Sequence, residues 1–169
     1  MGSAVAAPLF SGEGRFASSG AWLRALRTHL AVIAAGNLAW EVLHMPLYTV
    51  WTSGTWKEIA FAALHCTGGD VLISLASLTA ALLLVGDAEW PRSASWPVLM
   101  ITVALGLAYT VFSEWLNIVI RAAWDYSDAM PVIPFAGLRV GVSPLLQWIV
   151  VPFIAFAWVR RIRPEPGAP

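Results

Sequence analysis

Glu41 and His44 stand three residues apart in an otherwise apolar stretch, Asn37-Leu-Ala-Trp-Glu-Val-Leu-His-Met-Pro-Leu-Tyr48. On a helix that turns by about 100° per residue, Asn37, Glu41, His44 and Tyr48 share one face. Glu-x-x-His is also the pair with which carboxylate-bridged two-metal helical bundles hold their ions. Glu41, His44, His65, Asp70 and Glu114 together offer oxygen and imidazole donors suited to a divalent Zn, Fe or Mn ion. The same imidazoles could take a haem. No second Glu-x-x-His occurs in the chain, so a full two-metal centre is not expected.

The carboxylates also support chemistry without a metal. A carboxylic acid kept from water can donate its proton to an alkene or ether of an isoprenoid- or sterol-like lipid and later recover one. Glu41, Asp70 and Glu114 are the catalytic candidates, with Trp40, Trp115 and Tyr109 as flat walls for such a molecule. Asn37, Asn117, Arg121 and Gln147 are the hydrogen-bonding residues expected around them. Plainer roles compete with catalysis. The polar residues could form a structural network, for instance Glu114 with Arg121 and Glu41 with His65, in a membrane scaffold or accessory subunit. They could also relay protons or bind a cation in a small transporter. Without inverted repeats, four spans make a poor monomeric transporter, so that reading calls for a homo-oligomer.

The elements that must position these residues follow from composition. The 169 residues are 59% hydrophobic and only 12% charged, about half the charge of an ordinary soluble domain. Mean hydropathy is +0.71, and the ten tryptophans fit a protein anchored at two membrane interfaces. The class is an integral membrane protein whose first partner is the lipid bilayer. A formal net charge of zero gives no reason to expect a nucleic-acid partner. Cys66, the only cysteine, excludes an intrachain disulfide and is expected as a small packing residue.

A crossing helix needs about 20 apolar residues, which places spans at about 28–50, 58–85, 97–120 and 142–159. The expected fold is an all-α, four-helix transmembrane bundle over residues 28–162, with tails at 1–27 and 163–169. Arg15, Arg24, Arg27, Arg92, Arg160, Arg161 and Arg163 share one side, while Lys57, Arg121 and Arg139 lie on the other. The positive-inside rule then puts both termini in the cytoplasm of a bacterium, with the bundle in its inner membrane. In that frame Glu41, His44, His65, Asp70, Glu114 and Gln147 all fall in the outer half, to which every helix contributes. Polar groups at membrane depth usually face a cavity or a bundle interior, so a shared outward site is expected. Helical phase sets His65 about 140° from Asp70, too far for both to point at one spot without distortion. Pro46 is expected to disturb the first helix near His44, and Gly68 with Gly69 to allow close helix approach or ligand access. The connector 121–141, with Trp124, Asp125, Tyr126, Asp128 and Met130-Pro131, suits a lid at the interface.

The wording Leu64-His-Cys-Thr-Gly-Gly-Asp-Val71, with Ser113-Glu-Trp-Leu-Asn117 and Leu146-Gln-Trp148, resembles a group of small four-helix bacterial inner-membrane proteins. The resemblance covers most of the chain after Asn37 and implies the fold and the membrane, but no activity. Over a few residues, Trp124-x-Tyr126 with its Pro/Gly-rich turn is similar to small carotenoid-cyclase subunits, and the Trp and carboxylate lining is similar to sterol-isomerase-like bundles. No site residue is carried over from either.

Overall fold

The structure, a computed structural model, describes residues 19–86 and 89–161. It is mostly helical. Helix α1 (Ser19–His44) passes through a 3-10 turn (Met45–Leu47) into the single-turn α2 (Val50–Ser53). Then follow α3 (Trp56–Val85), α4 (Ser95–Glu114) with a π-helical continuation (Trp115–Ile120), strands β1 (Val132–Phe135) and β2 (Leu138–Gly141), and α5 (Val142–Val159). Four stretches are long and apolar enough to cross a membrane: Gly20–Leu47, Trp56–Val85, Ser95–Ile120 and Val142–Val159. Helices α1 and α4 each pack against both α3 and α5.

Three expectations need correction. Helix α1 begins at Ser19, so residues 19–27, assigned to a tail, are helical; Arg15, Arg163 and the remaining tail residues lie outside the described region. The fold is not purely α. Strands β1 and β2 form an antiparallel hairpin in the register Val132↔Gly141 to Phe135↔Leu138. Its two-residue turn, Ala136-Gly137, has φ of +47° and +80°, as a tight primed turn requires. Alanine in place of the usual Asn or Asp, and Pro134 inside a strand, hide this hairpin from a sequence reading. Finally, a Cβ on Gly68 or Gly69 would meet nothing within 4 Å, so no helix approaches there.

Local chemistry explains the main boundaries. Thr55 and Glu58 form a capping box at the start of α3: Thr55 N–H donates to Glu58 Oε2 at 2.7 Å, and Thr55 Oγ1 accepts from Glu58 N–H at 3.4 Å. Pro46, which has no N–H to continue the ladder, coincides with the change from α to 3-10 geometry after His44. Ser127 Oγ donates to the Pro46 carbonyl at 3.1 Å, and Ser127 N–H donates to the Leu47 carbonyl at 2.9 Å. Thr49 N–H donates to the Asp125 carbonyl at 3.0 Å. These bonds clamp the connector after α4 onto the end of α1.

The interior divides into two parts. At the end holding Arg24, Arg27, Arg92, Arg160 and Arg161, an apolar core gathers Ala25, Leu78, Ala81, Trp90, Val98, Phe156 and Val159. Midway, Ile33 packs with Val151 and Ala155. Small residues set the helix spacing: a Cβ on Gly36 would press on Val151, and one on Gly106 would collide with the Trp148 ring. The outward faces are apolar, with Leu43 at 79% and Leu83 at 83% exposure. Surface of that kind requires an apolar surrounding.

Candidate functional site

Opposite the basic end, Gln147 of α5 organises a buried polar cluster. Its Nε2 lies 3.1 Å from Asn37 Oδ1, 3.2 Å from Glu41 Oε1 and 2.9 Å from Asp70 Oδ2. One amide nitrogen with two protons thus meets three acceptors, two of them carboxyl oxygens from different helices. The α1 face read from the sequence and the Asp70 position on α3 converge on this nitrogen. Gln147 is 3% exposed and Glu41 6%, so water does not separate these groups.

Glu41 is tied into a second chain of bonds. Its Oε2 lies 3.1 Å from His44 Nε2, and His44 Nδ1 lies 3.0 Å from Ser143 Oγ. Trp40 Nε1 donates to the same Ser143 Oγ at 3.2 Å. The direction that uses each group once runs Trp40 N–H to Ser143 Oγ, Ser143 O–H to His44 Nδ1, and His44 Nε2–H to Glu41. The Glu41–His44 spacing of one helical turn permits the contact, and Ser143 reaches it because α5 begins there, directly after β2.

The third carboxyl group comes from α4. Glu114 Oε2 accepts a hydrogen bond from the Tyr126 hydroxyl, and that hydroxyl accepts from Gly141 N–H at 2.8 Å. Burial and the neighbouring Glu114 carboxylate push the Tyr126 phenol well above its ordinary pKa, so it stays a donor. Gly141 has little choice of side chain here, since an added Cβ would lie 3.1 Å from the Tyr126 ring. Tyr48 and Tyr126 pair through an isolated bridge, with ring centroids 5.6 Å apart. The connector thus closes over the cluster as a lid.

Between these groups lies a cavity of about 120 Å³. Glu41 and His44 of α1, Asp70 of α3, Glu114 of α4 and Gln147 of α5 all face it. Met45, Ile73 and Trp148 supply apolar wall, Trp124 covers it from the connector, and Tyr109 and Thr110 border it on α4. The arrangement places three carboxyl groups and an imidazole around a space with apolar walls. It can hold a molecule and move protons to and from it.

Of the residues expected at the site, Glu41, His44, Asp70, Glu114 and Gln147 border the cavity, and Asn37 supports it through Gln147. His65 does not: it is exposed on α3 and stacks on Phe61 at 5.4 Å. Asn117 of the π segment and Arg121 just after it form a separate pair. Asn117 Nδ2 donates to the Ser113 carbonyl at 2.9 Å, and Arg121 Nη1 donates to Asn117 Oδ1 at 3.3 Å. The partners expected of a structural network are therefore different, since Glu114 meets Tyr126 rather than Arg121 and Glu41 meets His44 rather than His65. Among the described residues no group of three or more His, Cys, Asp and Glu side chains is arranged to hold a metal ion. Of the five expected ligands, Glu41, His44, Asp70 and Glu114 border one cavity, and His65 lies apart on the exposed face of α3. Of the expected flat walls, Tyr109 borders the cavity, Trp40 is turned onto Ser143, and Trp115 lies beneath the hairpin. Sequence does not single out Ser143. Ser143 left one trace, a Ser-Pro at the start of an apolar run.

Comparison of the chain with protein-family models, with curated proteins and with solved structures returns no match.

Proposed function

We propose that this chain is a four-helix enzyme of a bacterial inner membrane that performs acid–base chemistry on a lipophilic small molecule, without a metal ion. The observation that carries the reading is the cavity itself. Glu41, Asp70, Glu114 and His44 surround it from three helices, within walls that suit an apolar molecule. A plain structural network has no need of such a space, and interiors usually close one.

In the simplest reaction of this class, one carboxylic acid gives its proton to an alkene carbon of the substrate. The acid O–H bond breaks and a C–H bond forms. The other alkene carbon becomes cationic, a second carboxylate takes a proton from the carbon beyond it, and the electron pair of that C–H bond forms the double bond one position along. The enzyme ends with as many protons as it began, and the proton returns from the second carboxyl group to the first across the cavity that they border. Gln147 holds Glu41 and Asp70 in place, and Tyr126 holds Glu114.

Incubating the purified protein with a bacterial lipid extract in D2O tests the chemistry. Mass spectrometry should find deuterium fixed at carbon in an apolar lipid with the wild type, and at least tenfold less with Glu41→Gln. Equal incorporation by both proteins, or none by either, contradicts the acid–base reading.

The orientation belongs to the same proposal. In it both termini and the α3–α4 connector lie in the cytoplasm, a placement that the arginines of that end favour, and the cavity sits in the outer half of the bilayer. In a Cys66→Ser background, a cysteine at Ser53 should react with an impermeant maleimide added outside, and one at Arg92 should not. The reverse pattern moves the cavity to the cytoplasmic half.

A further inference from the structure

His65 is out of place on the outward face of α3. It is exposed, stacks on Phe61 and makes no hydrogen bond among the described residues. It also lies inside the apolar span Trp56–Val85, about 13 Å along the helix axis from Trp56. A polar group at that depth is costly against lipid and usually meets a polar partner. The chain itself supplies none. The rest of that face follows a regular pattern. Phe61, His65, Gly68, Leu72, Leu75 and Thr79 are all exposed. Their alternating steps of four and three keep them within about 40° of one line down the helix. Asp70, which borders the cavity, lies about 180° from that line. A Cβ added at Gly68 would meet nothing within 4 Å, so the backbone there is open to close approach from outside the chain.

We infer that this face of α3 pairs with the same face of a second copy of the chain, parallel and about a two-fold axis, with the two His65 imidazoles hydrogen-bonded to each other. Lipid tails offer no polar atom at this depth. A two-fold axis sets each residue of a helix seam against its own counterpart. A neutral imidazole carries one donor and one acceptor, so a second imidazole satisfies it. Alternating steps of four and three are also the pattern by which two parallel helices keep a continuous seam. The charges at the start of α3 agree with this arrangement. Lys57 and Glu58, both exposed, flank the line on opposite sides, about 40° and 60° from it. The two-fold axis therefore brings each Lys57 beside the other copy's Glu58. An antiparallel pair would carry these charges to opposite sides of the membrane. The inference needs the membrane spans but not the chemistry proposed above, since the cavity lies on the other side of α3.

Energy transfer between donor- and acceptor-labelled full chains in liposomes, followed as lipid dilutes the protein, tests the pairing. The dyes are carried on a cysteine at Ser53 in a Cys66→Ser background. The parent protein should show transfer above that of random encounters, with a measurable dissociation constant. Gly68→Leu should raise that constant at least tenfold. Its side chain enters open space in a single copy, so the chain still folds, but it fills the seam between two. His65→Ala should raise the constant about threefold, the factor that one hydrogen bond between helices is worth in a membrane. Transfer no greater than random encounters overturns the pairing, and so does an equal constant for the parent and Gly68→Leu. An unchanged constant in His65→Ala overturns the imidazole contact. Each of these outcomes leaves the cavity and its chemistry to be judged by their own tests.

Discussion

The two ends of this molecule use their buried volume in opposite ways. At the arginine-rich end, Leu78, Ala81, Trp90, Val98 and Phe156 fill the space between four helices with apolar contact. At the other end the same helices bury Asn37, Glu41, His44, Glu114 and Gln147 around an open cavity. The first arrangement holds helices together by packing, the principal attraction available where the surroundings are as apolar as the core. The second brings carboxyl groups together with one amide to serve them, which costs stability unless every group finds a partner. The contrast separates a half that secures the fold from a half kept for chemistry.

Truncation should break the packed end hardest. Leu78→Ala, at a fully buried site, is expected to cost about 3 kcal/mol in denaturant unfolding in detergent and to leave ligand binding intact in the folded fraction. A loss below about 1 kcal/mol would show that this core does not carry the fold. Gln147→Leu should cost about 2 kcal/mol, because Asn37, Glu41 and Asp70 all lose their shared donor. Unlike Leu78→Ala, it should also abolish activity.

Tyr126→Phe should cost about 1 kcal/mol by removing the donor to Glu114 and the acceptor of Gly141 N–H. The pH dependence has a definite sign. The phenol is raised above its ordinary value of 10.0 in the folded chain, so its contribution is full below that pH. Above pH 10 the unfolded chain ionises first, and the wild type should lose stability faster than Tyr126→Phe. Parallel curves would place Tyr126 in water. The smallest effect has the opposite direction: Asp70→Asn should raise stability by about 0.5 kcal/mol while lowering activity, since it relieves the crowding of two carboxyl groups on one amide. A destabilised variant would mean that the two ends do not differ as described.

The sequence revealed location well and partnership poorly. The Asn37–Tyr48 stripe, Asp70, Glu114 and Gln147 were legible because an ionisable or amide group in an apolar helix stands out, and helical depth brought them to one level. His65 stood out in the same way, yet it faces outward; the phase difference of about 140° from Asp70 already carried that information. Which partner each group takes was not legible. Glu114 meets Tyr126 only because a hairpin without an Asn-Gly or Asp-Gly turn folds the connector back over α4. Ser143 touches His44 from 99 residues away, and a serine at the start of a helix does not announce such a contact. The basic-end core was invisible as a pattern, since on helices exposed to an apolar surrounding both faces are hydrophobic.

The central claim is that the cavity bordered by Glu41, Asp70 and Glu114 exists to hold a lipophilic molecule. Mass spectrometry of apolar molecules released from protein purified in mild detergent tests it most directly, comparing the wild type with Ala62→Phe, which fills the cavity from α3. The wild type should release one apolar species close to one per chain, reduced at least fivefold in a folded Ala62→Phe protein. Identical lipid profiles from the two proteins would contradict the account.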